Sequence, residues 1–131
     1  MAYTRSFLRE KAMIILYQIN ISEERKMDYN VEAIINSNME VENEFVKDIV
    51  YGVITYKDEL DNLANKHMKD WNIDRIDKTG KAILEMALFE LKYTDTPEIV
   101  VINEAIELAK KYSDDAVRKI INAVLDKVVK E

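Results

Sequence analysis

The chain contains no cysteine. That absence excludes a disulfide framework, a thiolate-held zinc cluster and a thiol nucleophile. Two glycines and one proline in 131 residues are too few breakers for a turn-rich β sandwich or barrel, and they favour long helices. Two glycines also cannot build a phosphate-cradling loop. The single histidine, His67, cannot supply a two-histidine metal site and reads as an ordinary helix-end residue. No serine stands in a nucleophile-elbow context. No catalytic group and no cofactor or metal site is expected. Nowhere do 18 apolar residues run together, so no segment reads as membrane-spanning. Arg9, Glu10 and Lys11 interrupt the apolar pair Phe7 and Leu8 before a secretory core could form, and the expected location is cytoplasmic.

What is present suits one soluble domain with a real core: 48% hydrophobic and 34% charged residues. The net charge of −6 is a poor global match to a nucleic-acid binder, which usually shows a basic footprint. The charge is unevenly spread, however. Residues 1–26 carry net +2, through Arg5, Arg9, Lys11, Arg25 and Lys26 against three acids, and residues 27–131 carry −8. A basic end on an acidic body can still bind a phosphate backbone locally, with strong salt dependence.

Hydrophobic spacing predicts an all-α fold, a compact bundle of about six to seven helices. Helix one spans roughly 4–20, with Leu8, Ala12, Ile15, Leu16 and Ile19 on its core face. A weak short helix follows near 29–37, and a long one near 42–68 carries Val46, Ile49, Val50, Val53, Leu60 and Leu63. Gly52 inside it costs about 1 kcal/mol relative to alanine, which marks a close helix crossing. Asp77 can cap helix four, roughly 78–93, the expected middle of the bundle. Pro97 suits the start of helix five, and Ser113 or Asp114 can cap helix six. A seam near residues 69–76 divides the bundle into two subbundles sharing one core.

Arg5 and Arg9 lie one helical turn apart and share a side of helix one. Guanidinium groups suit phosphates and stack on unpaired bases, and Tyr3 and Tyr17 could supply stacking planes. The same spacing equally fits a solvated helix edge with no ligand. A second basic group, Lys110, Lys111, Arg118 and Lys119, also reads as solvated charge on its own. Asn103 and Asn122 sit in otherwise apolar helices and read as buried structural amides. Met13, Met86 and Met68 read as core filler.

The run from Ile102 to Lys110, Ile-Asn-Glu-Ala-Ile-Glu-Leu-Ala-Lys, is physically an amphipathic helix. Ile102, Ala105, Ile106, Ala109 and Tyr112 recur on one face, and Glu107 precedes Lys111 in a favourable ion-pair order. The string closely resembles a signature of the NusB family of transcription antitermination factors. Arg9-Glu10-Lys11-Ala12 with Leu16-Tyr17-Gln18 resembles that family's first helix. Phe45 with Gly52-Val53 resembles its third helix, and Trp71, Arg75 and Ile76 its connector. Ile83-Leu84, Ala87 and Glu90-Leu91 match the fourth helix, while Lys119, Asn122, Val124, Leu125 and Asp126 resemble the closing motif. The order of these fragments holds across about 120 residues.

The resemblance implies the all-helical NusB fold and binding of the boxA element of nascent ribosomal RNA transcripts. It implies action as a heterodimer with NusE, a ribosomal protein, within an RNA polymerase antitermination complex containing other Nus factors. It assigns RNA contact to Arg5 and Arg9, with Lys119 and Asn122 as further candidates, and partner contact near Tyr17, Glu85 and Phe89. A homodimer remains open. The chain departs from the family's pattern in having a lone Arg5 before Ser6 and Phe7, Glu85 where an arginine is common, and Ile120 and Ala123 in the closing motif. The competing reading is a diverged protein-interaction module that has lost RNA recognition. Enzymatic methyl transfer is disfavoured, because the helical bundle leaves no segment for a cofactor-binding domain.

Overall fold

The computed structural model describes residues 3–131. Among them are six α-helices and one 3-10 turn, with no strand: α1 (Arg5–Glu24), α2 (Val31–Asn38), α3 (Glu44–Lys66), the 3-10 turn (Ile73–Arg75), α4 (Lys78–Tyr93), α5 (Glu98–Tyr112) and α6 (Asp115–Val129). Side-chain caps set most of the helix starts. Thr4, Asn30, Asn43, Asp77 and Asp114 each accept a hydrogen bond from the backbone N–H three residues on, satisfying a donor the helix itself leaves free. Pro97 takes the cap position of α5 without a side-chain bond. Of the two candidate caps for α6, Asp114 is the one used.

α4 is the middle of the molecule. Gly80 through Glu90 are buried on every side, and the helix packs against α1, α3, α5 and α6. The seam near residues 69–76 does separate α1–α3 from α4–α6 along the chain, but α4 contacts α1 and α3 as well as its own half. The two halves therefore share one core. A glycine makes part of that packing possible. A Cβ on Gly52 would lie 2.2 Å from the Phe89 ring, so the missing side chain is the space the ring occupies.

Several details depart from the sequence expectation. α1 continues to Glu24 instead of ending near 20, since Ile21 and Ser22 remain half-buried. α3 is kinked at Tyr56, with φ −105° and ψ 17°, a break that its apolar spacing does not signal. In α5 the buried stripe is Val101, Ala105, Leu108 and Ala109. Ile102 and Ile106 are only half-buried and Tyr112 is exposed, so the stripe is rotated from the expected one. Asn103 and Asn122, expected inside, are both exposed. No helix is long and apolar enough to cross a membrane among the described residues.

Candidate nucleic-acid interface

The amino-terminal end of α1 presents two different sides. Arg5 and Arg9 do share one, as their spacing required, but that side faces α3 and α4. Arg9 is buried, 4% exposed. Its Nε and Nη2 donate to the Glu90 carboxylate at 2.7 and 2.9 Å, and Nη1 lies 3.6 Å from Glu104 Oε1. Ser6 Oγ donates to the same Glu104 oxygen. Three residues of the resemblance motifs thus join α1, α4 and α5 through one internal ion cluster. A bidentate guanidinium–carboxylate pair is the geometry that makes a buried charge tolerable. Arg9 is committed to this cluster and does not lie on an open surface, contrary to the role expected for it.

Arg5 is exposed and makes no ion pair among the described residues. Its guanidinium sits 4.2 Å from the centre of the Phe45 ring, a cation–π contact that orients the group without neutralising it. Phe45 comes from the start of α3, and nothing local to helix one reveals it. The outward side of α1 carries Phe7 and Lys11, with Tyr3 just ahead of the helix beside them. The Tyr3 and Phe7 rings stack with centroids 4.9 Å apart and planes 16° from parallel. Lys11 Nζ is 5.4 Å from the Phe7 ring. Sequence reasoning found Tyr3 and counted Lys11 in the basic end but missed Phe7, although the four-residue spacing of the three is the signal that joins them.

An open groove of about 820 Å³ runs between this ridge and α5, with Ser6 and Phe7 on one wall and Lys110 and Lys111 on the other. Most of the second basic group is already engaged, two of its members along this groove. Lys111 donates to Glu10 at 2.6 and 2.9 Å, and Tyr112 Oη donates to the same carboxylate at 2.8 Å. The Lys111 contact, more than the others, holds Glu10 below the usual carboxylate range. Glu107 pairs with Lys110 at 3.4 Å instead of the expected Lys111, and Arg118 lies 3.6 Å from Asp115. Lys119 and Asn122 are exposed on α6, and Lys119 has no ion pair among the described residues.

The residues expected to meet a protein partner do not form one patch. Tyr17 is exposed on α1, whereas Glu85 is fully buried. Glu85 accepts from Asn20 Nδ2 at 3.1 Å and lies 3.5 Å from Lys57 Nζ, so it is an internal polar anchor and cannot touch a docked protein. Burial first, and then a hydrogen bond with Glu85, push Asp61 up to about 8. Phe89 is also buried, at the floor of a cleft of about 600 Å³ between α3 and α4. Tyr51, Tyr56 and Tyr93 are exposed on its walls. Tyr56 and Tyr93 stack at 4.1 Å. The Tyr51 and Tyr93 hydroxyls donate to Glu32 and Glu59, giving the cleft an acidic rim. The Glu59 contact pushes Tyr93 up to about 12. Sequence reasoning missed these tyrosines because their grouping needs the α3–α4 crossing.

By its fold the molecule falls in the class of all-helical bundles, and among its exposed features are a cationic aromatic ridge and an acid-rimmed tyrosine cleft. Its relatives narrow the class. The NusB family model matches residues 7–130, and the chain belongs to that family. It is 41% identical over 129 residues to the transcription antitermination protein NusB of Macrococcus caseolyticus, covering 97% of each chain. It is 39% identical to the NusB of Bacillus subtilis, over 95% of this chain and 93% of the relative. The solved T. maritima NusB superposes with a TM-score of 0.85 at 28% identity, covering 100% of this chain and 94% of the other. A solved complex of antitermination factors NusB and NusE with double-stranded RNA shares the fold, with a TM-score of 0.82 at 24% identity and 96% of each chain covered.

Proposed function

We propose that this chain is a cytoplasmic, non-catalytic transcription antitermination factor that binds boxA RNA of nascent ribosomal transcripts together with NusE. The observation that carries the reading is kinship over nearly the whole chain to curated antitermination proteins. The structure adds a cation without an ion pair among the described residues, Arg5, resting on Phe45, and an aromatic ridge of Tyr3 and Phe7 on the neighbouring side of α1. Arg5 meets the RNA backbone, and Lys119 and Asn122 lie on exposed faces of α6 that extend the contact. Side chains that stack and cations that hold phosphates together suit unpaired RNA. The acidic remainder of the surface limits nonspecific binding when NusE is absent.

The NusE contact falls on the tyrosine cleft, with Phe89 supporting its floor and Tyr17 outside it. Large aromatic rings supply contact area at low entropic cost, and the acidic rim suits a basic partner. With these two surfaces the chain would bridge transcript and partner within the RNA polymerase complex. The competing reading, a partner-binding module without RNA recognition, draws on the internal position of Arg9.

Titration of labelled boxA RNA, with and without NusE, separates the two. The antitermination reading expects tighter binding than to a scrambled RNA of equal length, enhanced by NusE. Binding to NusE with no preference for boxA in either condition supports the interaction module instead.

A further inference from the structure

Beside the outward ridge of α1 lies a hollow of about 480 Å³ that no phosphate-binding role uses. One wall is Tyr3, Phe7 and Lys11, and the other is the carboxyl-terminal end of α2 with the residues after it, including Asn36 and Met39. Tyr3 and Phe7 are 38% and 39% exposed, a large fraction for rings already stacked on each other. Met39 is buried and closes the floor. Asn36 is exposed, and its side-chain amide forms no hydrogen bond among the described residues, so it has both a donor and an acceptor to offer.

We propose that Tyr3, Phe7 and Lys11, with Asn36 opposite, form a stacking subsite for one unpaired nucleobase of the bound RNA. The inference rests on the RNA-binding reading above and adds a position and a mode of contact to it. An aromatic pair with its planes 16° apart continues naturally into a third parallel ring, and every base has a face to offer. Lys11 stands at the Phe7 ring, where its ammonium reaches the phosphate flanking a stacked base. The Asn36 amide meets the base edge, which makes the occupant a base rather than a plain apolar side chain. The hollow has the size of small-molecule pockets. Phe7 also lines the groove toward α5, so the hollow and that groove meet at one ring.

Stacking and phosphate contact differ in salt dependence, because only the latter releases counterions. The test uses the full chain and single-stranded boxA RNA carrying 2-aminopurine at successive positions. Wild type is expected to quench the probe at one position. Phe7→Leu should abolish that quenching and weaken binding about tenfold with the salt slope unchanged. Phe7→Trp should restore both. Arg5→Ala should leave quenching in place at saturation and make the slope shallower. Thermal melts confirm that each variant is folded. Loss of binding in Arg5→Ala with unchanged affinity and quenching in Phe7→Leu overturns the subsite and leaves the RNA reading intact. No RNA binding by wild type, alone or with NusE, overturns both.

Discussion

Arg9 of α1 and Glu90 of α4 form a bidentate ion pair at 2.7 and 2.9 Å, with both side chains almost wholly buried. Removing one partner leaves a charge in the interior without compensation, which costs about 3–5 kcal/mol. Arg9→Ala should therefore lower the unfolding free energy by about that amount in urea titration. The double variant Arg9→Met with Glu90→Leu should recover much of the loss, since the buried Glu90 charge leaves with its partner and only the half-buried Glu104 loses a cation. A purely RNA-contacting Arg9 would leave stability unchanged in the single variant.

Arg5 has the opposite profile. It is exposed and rests on Phe45, so Arg5→Ala should change stability by less than about 0.5 kcal/mol. Loss of one phosphate contact should reduce the log–log salt slope of single-stranded RNA binding by about 0.7. Arg5→Lys should keep the slope while losing the planar group that fits the ring. Urea titration checks the first, and binding isotherms at several salt concentrations check the two slopes.

Gly52 and Phe89 set the shape of the tyrosine cleft. Gly52→Ala gains helix propensity of about 1 kcal/mol, yet its methyl group would sit 2.2 Å from the ring. Overpacking of this kind typically costs about 1–3 kcal/mol, so the variant should melt at a lower temperature than wild type. Adding Phe89→Leu should recover part of the loss. NusE binding should weaken in Gly52→Ala, because the displaced ring fills the cleft.

Asp61 introduces a pH dependence. Its carboxyl is raised from 3.8 to about 8, first by burial and then by hydrogen bonding with Glu85, against the lowering influence of Lys81 and Lys57. Between those values the folded chain keeps a proton that the unfolded chain releases. This group therefore makes stability fall as pH rises through that window, with the loss complete above the folded value. Asp61→Asn keeps a neutral hydrogen-bonding group there. The melting-temperature difference between variant and wild type should be small near about pH 4 and grow in the variant's favour toward about pH 9.

The helices were legible because apolar spacing on α1, α3, α4 and α6 is regular, and because Asp77 and Asp114 are strong caps. The central place of α4 and the crossing at Gly52 also followed from the residues. The site was less legible, for a physical reason. Two arginines at i and i+4 share a side, but spacing does not say whether that side faces water or a carboxylate 81 residues away. Glu85 misled in the same way. Lys57 and Asn20, on two other helices, compensate it, and neither lies near it in sequence. Charged residues at buried positions are invisible until their partners are placed. The tyrosine cleft depends likewise on a crossing angle.

An antitermination factor that engages boxA raises read-through of a downstream terminator. The most direct measurement is a reconstituted transcription reaction with RNA polymerase, NusE and the other Nus factors. The template carries a terminator downstream of boxA, and this protein is added or withheld. Read-through is expected to rise on addition, and scrambling boxA is expected to remove the rise. Equal read-through with intact and scrambled boxA would contradict it.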